Sequence, residues 1–136
     1  MKLLKYFFPL ILVFLTGCSQ KEEVPPISDN EVSIRFEQKI SLPSKGLAIQ
    51  FASVETDSRC PTGVECIWEG EVLVKLSVSL TDQEPVGITL GLSSRPEVQK
   101  MVTIGDHTIE LIAVNPYPVY GKKVPYKDYE IVVKVI

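Results

Sequence analysis

The sequence predicts an all-β fold, an antiparallel β-sandwich of about seven short strands. Three observations point there: apolar residues recur at every second position in separate short runs, turn-forming residues lie between those runs, and only one segment hints at a helix. The 10 Pro and 8 Gly, set among many Val and Ile, favour turns and strands over long helices. A closed antiparallel β-barrel satisfies the same pattern and is the alternative architecture.

In chain order, the first alternating runs are Val32-Ile34-Phe36 and Leu47-Ile49-Phe51. Residues 66–80 form the clearest segment. There Val72, Val74, Leu76, Val78 and Leu80 alternate with Glu71, Leu73, Lys75, Ser77 and Ser79, the period of a strand with one buried face. The same parity carried backwards sets Gly70, Trp68 and Cys66 inward and Glu69 and Glu71 outward, unless a bulge at Gly70 reverses that part. Ile88-Leu90-Leu92 follows. Val102-Ile104 and Ile109-Leu111 then flank Gly105-Asp106, a hairpin turn signal. Ile131-Val133-Val135 closes the series. Residues 94–101 carry the helical hint, Ser94 and Glu97 at capping-box spacing, but Pro96 limits them to a short turn. No internal repeat of about 20 to 50 residues is visible.

The N-terminus has its own signature. Lys2 and Lys5 precede an apolar run at residues 6–15, shorter than the roughly 18 residues that span a bilayer and interrupted by Pro9, as in a signal peptide. The next residues, Leu15-Thr16-Gly17-Cys18, resemble the lipobox of bacterial lipoproteins. That resemblance implies cleavage before Cys18, acylation of Cys18 and attachment to a membrane through lipid, since two or more acyl chains anchor stably where one does not. It divides the chain into a signal peptide (residues 1–17), a lipidated N-terminus and polar, Pro-containing tether (18–31) and one domain (32–136). It also implies a cell-envelope location, at the outer membrane on its periplasmic or surface face in a Gram-negative cell. Ser19 stands where many retained lipoproteins carry Asp. Gln20-Lys21-Glu22-Glu23 resembles the surface-export signal of Bacteroidota lipoproteins, and reads equally as a solvated charge run.

Loss of Lys2 and Lys5 with the leader takes the formal charge from −3 to −5. A mildly acidic domain of mixed charge gives no electrostatic reason for nucleic-acid binding. Three cysteines are an odd count for an exported protein, and lipidation of Cys18 leaves Cys60 and Cys66 as a pair. They bracket Pro61-Thr62-Gly63-Val64-Glu65, which can turn the chain back, so a disulfide is expected. Closing so short a loop stabilises by roughly 2 kcal/mol and amounts to local bracing. A metal or redox pair is the other reading, weakened by the five-residue gap and by His107 being the single histidine.

Residues 57–61 (DSRCP) with Cys66-Ile67-Trp68-Glu69-Gly70-Glu71 resemble a DSRCP…C-[IV]-W-x-G signature of small, uncharacterised bacterial envelope proteins. Together with Asn115-Pro116-Tyr117-Pro118 the resemblance covers about half the mature chain. It implies a similar all-β domain and transfers no activity.

Candidate sites are few. Asp57, Glu65, Glu69 and Glu71 crowd near the cysteine loop, and a pair at alternate strand positions suits a calcium ion or an acid–base couple, or else is a solvated strand face; no partner that would perturb them is apparent. His107 reads as an exposed loop residue. No nucleophile elbow, phosphate loop or zinc helix is present, and nothing calls for a cofactor. Residues 115–129 are the most unusual segment. Tyr117, Tyr120, Lys122, Lys123 and Tyr126 there are candidate partner-binding residues, because Tyr combines apolar area with a hydroxyl and Pro lowers the ordering cost. The competing reading has these tyrosines cover an open end of the sandwich.

The expected function is that of a non-catalytic, membrane-anchored envelope lipoprotein, monomeric in its domain, presenting loops to a protein or glycan partner. A hydrolase inhibitor using the Cys60–Cys66 loop is the alternative; an inhibitor requires that loop to protrude, a scaffold requires it packed. A small enzyme would need His107 near a carboxylate and a Ser or Tyr hydroxyl in a cleft.

Overall fold

The computed structural model describes residues 30–136; Cys18, the leader and most of the tether lie outside the described residues. Eight strands form two four-stranded antiparallel sheets: β1 (Glu31–Arg35), β2 (Lys39–Leu42), β3 (Leu47–Asp57), β4 (Glu71–Leu80), β5 (Val86–Ser93), β6 (Met101–Ile104), β7 (His107–Asn115) and β8 (Glu130–Val135). One sheet has the order β1-β8-β7-β6 and the other β2-β3-β4-β5. The all-β expectation and the sandwich are correct, and the barrel alternative is not. Among the described residues there is no α-helix, only 3₁₀ turns at Pro43–Lys45 and Tyr126–Asp128, and no helix is long and apolar enough to cross a membrane.

The strand order explains why a barrel was a reasonable alternative. Successive strands are neighbours all the way round, and β8 returns to β1, so the connectivity is that of an eight-stranded up-and-down barrel opened between β1 and β2 and between β5 and β6. Each opening is spanned by main-chain hydrogen bonds. At the first, Phe36 N–H donates to the Tyr129 carbonyl (2.9 Å), while Glu37 N–H donates to the Phe51 carbonyl (2.9 Å). At the second, Gly91 N–H donates to the Gln99 carbonyl (2.8 Å) and Leu111 N–H to that of Lys100 (2.9 Å). The residues between the openings collapse into two faces with one shared core.

That core contains Ile34, Ile49, Phe51, Val72, Val74, Leu76, Leu90, Ile109, Leu111, Ile131 and Val133, all essentially inaccessible to water. Each inward side chain removed from water contributes roughly 1.5–3 kcal/mol, and their alternation along the strands is what selects the register. The hairpin at Gly105-Asp106 forms as expected, with Ile104 opposite His107 and a φ of 59° at Gly105 that suits glycine at the first position of a two-residue turn. Residues 94–101 hold no helix.

Three bulges reset the alternation. In β3 the register shifts between Phe51 and Ser53 and again between Val54 and Thr56; in β7 it shifts between Leu111 and Ala113. Val54 thereby comes onto the core face opposite Val74, and the second shift turns Asp57 to the same face as its partner, Val72. A carboxylate thus ends a strand whose other inward side chains are apolar.

Candidate functional site at the cysteine-loop end

Asp57 does not stand alone at that end of the sandwich. Arg59 Nε donates to Asp57 Oδ1 (2.8 Å) and Arg59 Nη2 to Oδ2 (2.6 Å), the paired geometry that suits guanidinium and carboxylate. The remaining donors reach across to the other sheet: Nη1 to the Val114 carbonyl (2.6 Å) and Nη2 to that of Pro116 (3.1 Å). Tyr129, itself buried, donates its hydroxyl to Asp57 Oδ2 (2.9 Å), and the Tyr117 ring lies 4.9 Å from the guanidinium carbon. The side chains of Arg59 and Asp57 are 8% and 9% exposed, so this ion pair is buried and well supplied with hydrogen bonds.

The electrostatics follow from that setting. Burial pushes the Asp57 carboxyl up, but the hydrogen bonds from Arg59 and Tyr129 and the Arg59 charge outweigh it, and the net position is below the ordinary carboxylate value. Burial, then the bond to the Asp57 carboxylate, pushes the Tyr129 phenol up to about 12. The expectation that no partner perturbs Asp57 is therefore wrong. The sequence held one signal, the alternate placement of Asp57 and Arg59 in an extended stretch, which sets two side chains on one side.

Cys60 and Cys66 form a disulfide with a Cα–Cα distance of 5.9 Å. The loop has a fixed base and a free end. At the base, Ser58 N–H donates to the Glu71 carbonyl (2.8 Å) and Cys60 N–H to that of Glu69 (2.8 Å). Thr62 bridges to the tyrosine-rich segment, donating to the Pro118 carbonyl (3.0 Å) and accepting from Tyr120 N–H (3.0 Å). Residues 62–69 are all exposed, Ile67 at 94% and Trp68 at 79%.

This overturns the inward placement of Cys66, Trp68 and Gly70 on a strand running from residue 66. The strand starts at Glu71, and Gly70 takes a φ of 71°. Gly70 has no room for a side chain, since a Cβ there would lie 1.8 Å from the Ser58 carbonyl oxygen. With its left-handed turn inserted between the Ser58–Glu71 and Cys60–Glu69 hydrogen bonds, the chain leaves the sheet and Trp68 emerges into solvent.

Trp68 lines a cleft of about 530 Å³ together with Ser58, Glu69, Gly70, Glu71, Ser94 and Arg95. The Glu71 carboxylate, expected outward, is held at 2.5 Å by Arg95 Nη2 and is only 18% exposed. Arg95 and Ser94 come from the connection after β5, and nothing in the sequence links them to Glu71. Among the described residues no group of three or more His, Cys, Asp and Glu side chains is placed to hold a metal ion.

The candidate partner-binding residues divide into two groups. Lys122, Lys123 and Tyr126 line a second cleft of about 290 Å³ with Glu55, Asp57 and Tyr129. Tyr117 instead packs on Arg59, and Tyr120 sits beside the cysteine loop. Tyr129 does cover the end of the core, and Tyr126 stacks on Phe36 at 6.0 Å, yet Tyr117, Tyr120 and Tyr126 remain at least half exposed. His107 is not a loop residue: it opens β7, half-buried, seven residues and so roughly 24 Å of strand from Val114 beside the Arg59 cluster. No family model, curated protein or solved structure matches the chain.

Proposed function

We propose that the chain is a non-catalytic, lipid-anchored envelope module that binds a partner through the cysteine-loop end of its sandwich. The observation that carries this reading is the exposure of Ile67 and Trp68 on a loop whose base is fixed. An exposed indole on a mobile loop would lose ordering entropy on binding. Here the disulfide, the Arg59–Asp57 pair and the Thr62–Val119 bridge have already removed much of that freedom. The anchor reading rests on the lipobox at Cys18, and the polar tether would hold the domain clear of the membrane.

Two measurements test it. Cys18→Ala abolishes acyl labelling and releases the domain or stalls its processing; unchanged labelling and fractionation reject the anchor. Hydroxyl-radical footprinting compares Trp68 in native envelopes with Trp68 in the purified lipidated protein, with Met101, 53% exposed and outside the loop, as internal reference. Slower oxidation of Trp68 alone in the envelope is expected. Equal rates in both settings reject a partner at this end.

Residues 62–69 are exposed rather than packed on the sandwich, as an inhibitor requires and a passive scaffold does not, which favours a second reading, a hydrolase inhibitor that inserts the braced loop into an active-site cleft. On that reading the purified protein slows an envelope hydrolase stoichiometrically, and reduction of the disulfide weakens the inhibition.

A further inference from the structure

We propose that the Trp68 cleft binds a short stretch of neutral glycan. The inference deepens the reading of the cysteine-loop end as the binding end and rests on it. The cleft, about 530 Å³, is of the size that holds small ligands, and an aromatic wall with a few convergent polar groups is the usual composition of such sites. Its polar groups are unusual in kind. The Arg95 guanidinium and Glu71 carboxylate, joined at 2.5 Å, present a fixed donor beside a fixed acceptor. The guanidinium is also held by Glu97 (Nε–Oε1 3.5 Å), so carboxylates flank it on two nitrogens before any ligand arrives, while the Arg95 backbone N–H donates to Ser93 Oγ (3.1 Å) and fixes the turn that carries it.

Sugar hydroxyls match this pairing because each donates and accepts at once. Two adjacent hydroxyls can donate a hydrogen bond to one carboxylate oxygen and accept one from the guanidinium, while the C–H face of the ring lies on the exposed indole of Trp68. Glu69 and the Ser94 hydroxyl add further groups at the rim. The charges decide between saccharide classes. Glu69 and Glu71 against Arg95 leave the lining one charge negative, which opposes uronic acids, sialic acids and phosphorylated sugars, so the favoured occupant is uncharged.

Trp68 is the single tryptophan of the chain, so intrinsic fluorescence reports on this site alone. The lipidated protein in detergent micelles is titrated with maltotetraose, cellotetraose, mannotetraose and chitotetraose, and with trigalacturonate as the acidic probe. A saturable blue shift with at least one neutral tetrasaccharide is expected, with none for trigalacturonate. Arg95 is exposed, and Arg95→Gln should leave the fold intact while weakening binding by about tenfold, the loss of a charged hydrogen bond. Trp68→Ala, followed by calorimetry, should abolish it. Silence with every neutral probe, preference for trigalacturonate, or affinity unchanged in Arg95→Gln overturns the proposal. If Trp68 is protected in envelopes while all the sugars fail, the binding end stands and its partner is a protein.

Discussion

Arg59 holds Asp57 through two parallel hydrogen bonds of 2.8 and 2.6 Å, and from that grip reaches the Val114 carbonyl at 2.6 Å. Asp57, the last residue of β3, and Arg59, two positions further on, thereby tie the first sheet to the second at the end where the cysteine loop departs. The bridge is buried, so its partners cannot be exchanged for water. Arg59→Gln removes the guanidinium and leaves the buried Asp57 carboxylate with the Tyr129 hydroxyl and the backbone N–H of residue 59 (3.4 Å), and stability should fall by about 3–5 kcal/mol in urea unfolding. Asp57→Asn combined with Arg59→Gln should cost less than the two single changes added together. Additive losses would mean that the two side chains act independently.

The same cluster fixes the pH response. Asp57 titrates below its ordinary value of 3.8 in the folded protein, so its stabilisation is complete above 3.8, declines as pH falls from there, and is lost as pH passes through the lower folded value. Tyr129 has the opposite sign. Its folded value of about 12 lies above the ordinary 10, so its contribution is complete below pH 10 and disappears as pH rises from 10 towards 12. Tyr129→Phe should lower stability by about 1 kcal/mol at neutral pH and flatten the alkaline decline between pH 10 and 12. A variant whose alkaline limb matches the parent would assign that decline to other groups.

Gly70 is the pivot that directs Trp68 outward. Gly70→Ala must both hold an L-residue at a φ of 71° and move a Cβ that would sit 1.8 Å from the Ser58 carbonyl. The expected loss is about 2–4 kcal/mol, combining left-handed strain with displacement of the Ser58–Glu71 and Cys60–Glu69 pairing. Trp68 emission should shift as well, because the loop base moves with it. A loss below 1 kcal/mol would show that the base relaxes freely, since an unstrained Gly-to-Ala exchange stabilises by about 0.4–1 kcal/mol.

How far the sequence could be read depended on where alternation survived. β4 alternates without interruption, and Ile88-Leu90-Leu92 and Ile131-Val133-Val135 marked the core faces of β5 and β8, although Gly91 and Val132 on the opposite faces are buried as well. β3 was cut short at Phe51 because the bulge after it breaks the period, which hid both Val54 and the inward turn of Asp57. β2 escaped because an edge strand of four residues offers only Ile40 and Leu42, each half-buried, between the exposed Lys39 and Ser41. Sandwich and barrel gave one pattern, since the sheets keep barrel order and differ only in two missing pairings. The cysteine pair was legible from counting. The Trp68 cleft was not: it depends on a glycine with positive φ and on Arg95, which reaches Glu71 from 24 residues further along the chain.

The disulfide should brace the loop without holding the domain together. Cys60 and Cys66 are six positions apart, and closing so short a loop is worth roughly 2 kcal/mol in the chain-entropy model. The core lies elsewhere, and the loop base keeps its tie through Thr62 to Pro118 and Tyr120 without the covalent link. Cys60→Ser with Cys66→Ser should therefore lower stability by about 2 kcal/mol while the far-ultraviolet spectrum stays that of the parent. The larger change should be local: faster hydrogen exchange at residues 62–69 and weaker binding at Trp68, because the platform loses its ordering before the ligand arrives. Loss of the β spectrum, or a fall well beyond that size, would place the disulfide in the stability of the whole sandwich instead.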